Sequence, residues 1–242
     1  MEALIMLTKN SAIVNGYYNP KTLEKFSSAY KAAAEAVKAG EIKTATISNS
    51  NSKMGAVASV SLLPFLTCPS RCAETCGGKC YAAKLANLRP AVLNSYARNT
   101  ALAILKPELF WSSVDQAVKS VRFFRFHVSG DIMNKAYFEN MIKTAKNNTH
   151  CDILVFTKRY EIVNAWLSEN KELPKNLHIL FSGWNNLKPI NPHNMPETNV
   201  FKTEAEIQDN WKICGGNCFN CACRGVGCWQ AEKCDTIAFK LH

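Results

Sequence analysis

Cys68, Cys72, Cys76 and Cys80 stand at four-residue intervals in the run TCPSRCAETCGGKCYAAK, close enough for their thiolates to converge on one metal centre. A second crowd follows near the C-terminus, in CGGNCFNCACRGVGCWQAEKC: Cys214, Cys218, Cys221, Cys223, Cys228 and Cys234. Ten of the eleven cysteines therefore fall in two short segments, a distribution that packing does not explain. Cys151 alone lies outside them and reads as a small buried hydrophobe.

The spacings separate the metals. Structural zinc sites usually combine two close Cys pairs across a longer spacer, often with His among the ligands. The first segment has four evenly spaced cysteines and no nearby His. Closely packed thiols in a single segment fit iron–sulfur ligation, in which three or four thiolates wrap one cluster. Gly77-Gly78 would let the backbone turn tightly against such a core. The second segment offers six thiols, more than one centre uses. Cys214, Cys218, Cys221 and Cys228 are the favoured ligands, with Cys223 as rival. A zinc-binding module is the alternative for this segment. The expected cofactors are one or two [4Fe–4S] clusters.

The rest of the composition sets the context. A chain of 242 residues with 47% hydrophobic and 10% aromatic residues is that of a globular protein. No apolar run reaches the length of a membrane span, and MEALIMLTKN turns polar too soon for a secretory leader. The expected setting is the cytoplasm, where thiols stay reduced and clustered cysteines read as metal ligands. The formal charge of +10 suggests an anionic partner, nucleic acid being the usual one. Two cubane clusters on eight thiolates would lower that charge to roughly +6. The basic residues are scattered, so a generic basic surface explains the charge equally well.

Elements able to position these groups alternate along the chain. Residues 20–40 read as a helix opened by Pro20 and stopped by Gly40. Residues 56–63 read as a buried strand that leads into the first cysteine loop. Helices are expected over 80–88, 91–105, 107–120, 135–147 and 160–170, and strands over 122–128, 152–157, 178–184 and 199–202. Such alternation implies a parallel sheet, here an α/β fold of partial or irregular (β/α) barrel form. The organisation expected is an N-terminal extension over 1–54, a barrel-like core over 55–205 and a Cys-rich iron–sulfur segment over 206–242. Polar residues end several strands, and in a barrel they would share one face. Asp131, Lys158 and Ser182 are the candidate small-molecule contacts there, with His127 at the edge and Tyr81 and Trp184 able to stack on a flat ligand.

Several of these stretches together resemble a phage protein family, gene product eighty-eight. They are TCPSRCAETCGGKCYAAK, RPAVLNSYARN, FRFHVSGDI, VFTKRYE and CFNCACRGVGCWQAEKCDTIAFKLH, and the likeness runs from about residue 55 to the C-terminus. Cys80-Tyr81-Ala82 and Phe156-Thr157-Lys158-Arg159 are also similar to motifs of a second phage family with radical-SAM-like barrels. That likeness implies a [4Fe–4S] cluster in the loop after the first strand, with one iron open to S-adenosylmethionine. The chain departs from the usual C-x3-C-x2-C loop: its C-x3-C-x3-C-x3-C run could complete all four iron sites. Three functions follow as expectations. One is a radical-SAM-like enzyme, another a non-catalytic iron–sulfur redox or nucleic-acid-binding module, and the third a structural metal protein.

Overall fold

The computed structural model describes residues 20–72, 75–76, 79–169, 171–184 and 187–241. Gly77 and Gly78, expected to turn beneath a cluster, lie outside the described residues, as do residues 1–19 of the 1–54 extension.

The elements follow the hydrophobic pattern closely. Helix α1 spans Pro20–Lys38, α2 Tyr81–Leu88, α3 Pro90–Leu105, α4 Pro107–Lys119, α5 Lys135–Asn147, α6 Tyr160–Leu167 and α7 Cys218–Arg224. Strand β1 spans Ala58–Val60, β2 Phe123–Phe126, β3 Asp152–Thr157, β4 Leu177–Ser182, β5 Glu197–Phe201, β6 Trp211–Ile213 and β7 Thr236–Lys240. Pro at the first position of α1, α3 and α4 starts each helix where a missing N–H is harmless. Asn134 caps α5 by accepting from the Tyr137 N–H at 2.8 Å.

The strands form one seven-stranded sheet in the order β1-β2-β3-β4-β5-β7-β6. Each pair from β2 across to β6 is parallel, with Phe123 opposite Asp152, Ile153 opposite Leu177, Phe181 opposite Glu197, Glu197 opposite Thr236 and Trp211 opposite Thr236. The sheet is open, with β1 and β6 at its edges. A barrel closes only when first and last strands pair, and here both edge strands are three residues long. The chain is therefore a mixed α/β protein with an open sheet where the sequence suggested a barrel. Near-continuous burial along β2, β3 and β4 fits parallel strands covered on both faces.

Two compact units divide the chain. The first gathers the described residues up to Ile47, Val60–Ala117 and His127–Asp131; the second gathers Ser48–Ser59, Val118–Phe126 and the described residues from Ile132 onward. In the first unit α1 packs Phe26 and Val37 inward, and Phe26 stacks on Phe65 at 6.3 Å. Buried Asn99 of α3 donates to the carbonyls of Thr46 and Ser61 and accepts from the Thr46 N–H, tying two loops to one helix. In the second unit the core is the sheet itself, with Phe124, Phe126, Ile153, Leu154, Val155 and Phe181 fully buried.

No described helix is long and apolar enough to cross a membrane.

Candidate metal centres

The first cysteine segment lies in the first unit. Ser70–Cys72 form a short 3-10 turn, and the Cys72 N–H donates to the Pro69 carbonyl at 3.1 Å. Cys80 is the N-cap of α2, in extended backbone, and its carbonyl accepts from the Lys84 N–H at 3.0 Å. Cys68 and Cys76 lie close enough to act on both Cys72 and Cys80. Cys72 is buried and lies within hydrogen-bonding reach of both Cys68 and Cys76. Those hydrogen bonds, then burial and the charges of the same two thiols, hold it well above the ordinary thiol value. Burial, followed by the charge of Cys68, pushes Cys80 up to about 12, against the opposing N–H groups of Ala83 and Ala82. Those N–H groups form the positive end of α2, which favours a thiolate once a cation is there to hold it.

Polar residues brace this loop from below. Thr67 Oγ1 donates to the Leu63 carbonyl and accepts from the Asp131 N–H, each at 3.2 Å. Gly130, at φ +83°, leaves no room for a side chain: an added Cβ would stand 2.6 Å from Thr67 Oγ1 and 2.7 Å from Leu62 Cβ. The Tyr81 hydroxyl donates to the Val128 carbonyl at 2.5 Å. His127 is buried and takes a left-handed φ of 61°, starting the turn after β2. Asp131 is buried in this same unit.

The second segment lies in the second unit and is better ordered than a loose Gly-rich chain. Asn217 caps α7, accepting from the Asn220 N–H at 2.9 Å. Cys218 and Cys221 are three apart on that helix and so share a face, while Cys223 is exposed. Cys228 sits in the 3-10 turn Gly227–Trp229. Burial, then the nearby Cys214 and Cys218, raises the Cys228 thiol, with Cys221 contributing less. Burial also raises Cys218 and Cys221, with Cys214 close to both. The neighbours are thus Cys214, Cys218, Cys221 and Cys228. Cys234 stands apart at a left-handed turn, exposed, its N–H donating to the Asn194 carbonyl at 3.0 Å.

Glycines, a backbone N–H and a buried ring surround this second group. Gly215 and Gly227 both lie beside Cys221 Sγ, where an added Cβ would stand 3.5 or 3.9 Å from the sulfur, in ordinary contact. The Gly216 N–H donates to Cys214 Sγ at 3.4 Å, the kind of N–H···S contact that stabilises thiolate. Beneath the group, Trp229 is buried; its Nε1 donates to the Cys218 carbonyl at 3.0 Å, and its ring packs on Phe123 and His178.

All eleven cysteines are free thiols. Among the described residues, no three His, Cys, Asp or Glu side chains are drawn into a ready coordination shell. Neighbouring thiols and burial together disfavour ionisation of Cys72 and Cys80 in the first group and of Cys218, Cys221 and Cys228 in the second. A cation reverses that balance, since metal binding takes the protons off. Cys151 has no such company. It is fully buried, its Sγ donates to the Asp152 carbonyl at 3.7 Å, and burial pushes it up to about 12. Cys151→Ser is expected to leave metal content unchanged and to cost about 1 kcal/mol of stability by placing a hydroxyl in an apolar site. Metal analysis beside thermal unfolding checks this, and a loss of metal would place Cys151 among the ligands.

Lys158 and Ser182 belong to the second unit and meet each other there. Lys158 Nζ donates to Ser182 Oγ at 2.6 Å and lies 5.8 Å from the Trp184 ring centre, while the Tyr160 hydroxyl donates to the Ser182 carbonyl. Together they fasten the ends of β3 and β4. A cleft of about 610 Å³ in the same unit is lined by Trp184, Trp211, Asn191, Asn199, Glu197 and Thr236, among others. Neither Lys158 nor Ser182 lines it.

One further position supports the second group, and the sequence alone did not single it out. Gly55 has φ +70°, and a Cβ there would stand 2.8 Å from Phe219 Cβ and 3.1 Å from Asn217 Oδ1, at the very start of α7. The adjoining Met54 carbonyl accepts from the Phe219 N–H at 2.8 Å. Gly55→Ala is expected to cost about 1–3 kcal/mol through backbone strain and contact and to loosen the C-terminal thiol group. Denaturant unfolding with metal retention measures both; unchanged stability would mean that the turn relaxes freely.

Compared with known proteins, the chain matches the family described as Gene product 88 over residues 21–238. The chain belongs to this phage gene-product family. The family match takes in both cysteine segments and the strands of the sheet up to the middle of β7. No curated protein matches the chain, and no solved structure does.

Proposed function

We propose that this gene product 88 family member is an iron–sulfur protein with two [4Fe–4S] clusters. One would be held by Cys68, Cys72, Cys76 and Cys80, and the other by Cys214, Cys218, Cys221 and Cys228. The observation that carries this reading is the nearness of the thiols within each set: Cys68 and Cys76 act on both Cys72 and Cys80, and Cys214, Cys218 and Cys221 act on Cys228. Neutral thiols crowded in this way contribute little to a fold, whereas thiolates around a cationic core contribute a great deal. The evenly spaced first run, with no nearby His, favours a cluster over zinc there.

Four thiols at each centre leave no iron open, which favours closed clusters. A bound cluster of this kind takes up and releases single electrons. The residues of the chain hold it, shield it and set its charge. Binding of S-adenosylmethionine needs an iron without a thiolate, so radical chemistry is the less favoured reading. The net positive charge, roughly +6 with both clusters bound, suits an anionic partner such as nucleic acid. A reducing compartment, the cytoplasm of an infected bacterium, suits eleven free thiols.

Mössbauer spectra of protein grown on iron-57 test this directly. The expected spectrum is that of two [4Fe–4S] centres, unchanged by S-adenosylmethionine. A spectrum in which one iron of a cluster responds to S-adenosylmethionine would establish an open site and the radical reading instead. Absence of iron would remove both.

A further inference from the structure

Arg125 is the one charged residue of β2, in the strand Phe-Phe-Arg-Phe. Arg125 is half-buried; a guanidinium is always ionised, and taking even part of it out of water is costly unless an anion faces it. Among the described residues no carboxylate pairs with Arg125. Its Nη1 instead faces two sulfurs, Met54 Sδ at 3.5 Å and Cys218 Sγ at 3.9 Å, and its Cζ lies 4.6 Å from the Phe156 ring centre. Its Nε is buried with no hydrogen-bond partner. Neutral thiols and a thioether are poor company for this cation. Four thiolates around a metal core carry net negative charge, and Cys218 belongs to such a group.

We propose that Arg125 is the resident counter-cation of the C-terminal thiol site, and that it raises the reduction potential of the cluster bound there. The inference rests on the reading that this site holds a [4Fe–4S] cluster. Its physical basis is simple. Adding an electron makes the cluster more negative, and a fixed positive charge beside one ligand sulfur stabilises that state over the oxidised one. Hydrogen bonds to sulfur act in the same direction, and net charge and such bonds are what set cluster potentials. Arg125 is thus a positioning residue: it acts through Cys218 and binds no iron itself.

The test compares the full-length protein with Arg125→Met and Arg125→Lys, all purified without oxygen. Iron is counted, and each protein is titrated with dithionite, which supplies one electron per cluster, while electron paramagnetic resonance follows the reduced clusters. Arg125→Met is expected to shift one of the two potentials to more negative values and leave the other in place. Arg125→Lys, which keeps the charge, is expected to shift it less. Full iron with both potentials unmoved in Arg125→Met would overturn the inference while leaving the two-cluster reading intact. If Arg125→Met loses half its iron, the lysine variant decides: retained iron supports the charge role, and equal loss overturns it. Wild-type protein without iron at Cys214–Cys228 would overturn the two-cluster reading, and the inference with it.

Discussion

Cys72→Ala is expected to halve the iron and acid-labile sulfide of the protein, from about eight of each to about four, with a matching loss of visible absorbance. Cys72 is the most deeply placed thiol of the first group, only 6% exposed, and it is hydrogen-bonded to the thiols on both sides of it. Removing it leaves three sulfurs for four irons and opens a gap on the buried side. The substitution deletes little more than one sulfur atom, so the metal-free chain should lose only about 1 kcal/mol. Most of the drop in thermal stability will therefore come from the lost cluster. Cys80→Ala should do the same from the opposite end of the loop, at the N-terminus of α2. Metal and sulfide analysis of both variants is the check, and unchanged iron in both would remove these cysteines from the ligand set.

Trp229→Ala is expected to destabilise the second unit by about 3–5 kcal/mol, the range for deleting a large buried aromatic side chain. Its ring centre lies 5.5 Å from that of Phe123 and 6.1 Å from that of His178, and its indole N–H holds the Cys218 carbonyl. Without this ring the turn carrying Cys228 loses its seat on the sheet, so the C-terminal site should release its metal at lower chelator concentration than the first. Trp229→Phe, which keeps most of the ring but not the donor, should recover most of the stability. Denaturant unfolding and chelator-dependent metal release give the two readouts. Equal metal release from both sites would show that the C-terminal group does not depend on this seat.

Much of the fold was legible because the core elements have clean periods. The helix over Lys135–Asn147 and the strand over Asp152–Thr157 match the sequence reading to the residue, since an apolar stripe and a run of buried aliphatics leave little ambiguity. The C-terminal segment was not legible in the same way. Its cysteines and glycines break the hydrophobic pattern, so α7, β6 and β7 carry weak local signals. β7 lies between β5 and β6, a placement fixed by non-local pairing that no local window contains. The barrel expectation came from strand–helix alternation, which is the same for open and closed sheets.

The site was read unevenly for similar reasons. Cysteine spacing marked two groups of thiols; in the second, Cys218 and Cys221 share a face of α7 while Cys223 is exposed, an arrangement bare spacing does not give. Lys158 and Ser182 were noted as polar strand ends, and they face each other across two adjacent strands. Arg125 passed unnoticed within an aromatic strand, since only the fold brings Cys218 beside it.

The most direct test of the central claim is the iron, zinc and acid-labile sulfide content of protein purified without oxygen. About eight irons with matching sulfide per chain are expected, one [4Fe–4S] cluster for each four-thiol group. Zinc without sulfide would contradict the claim, making both groups structural metal sites.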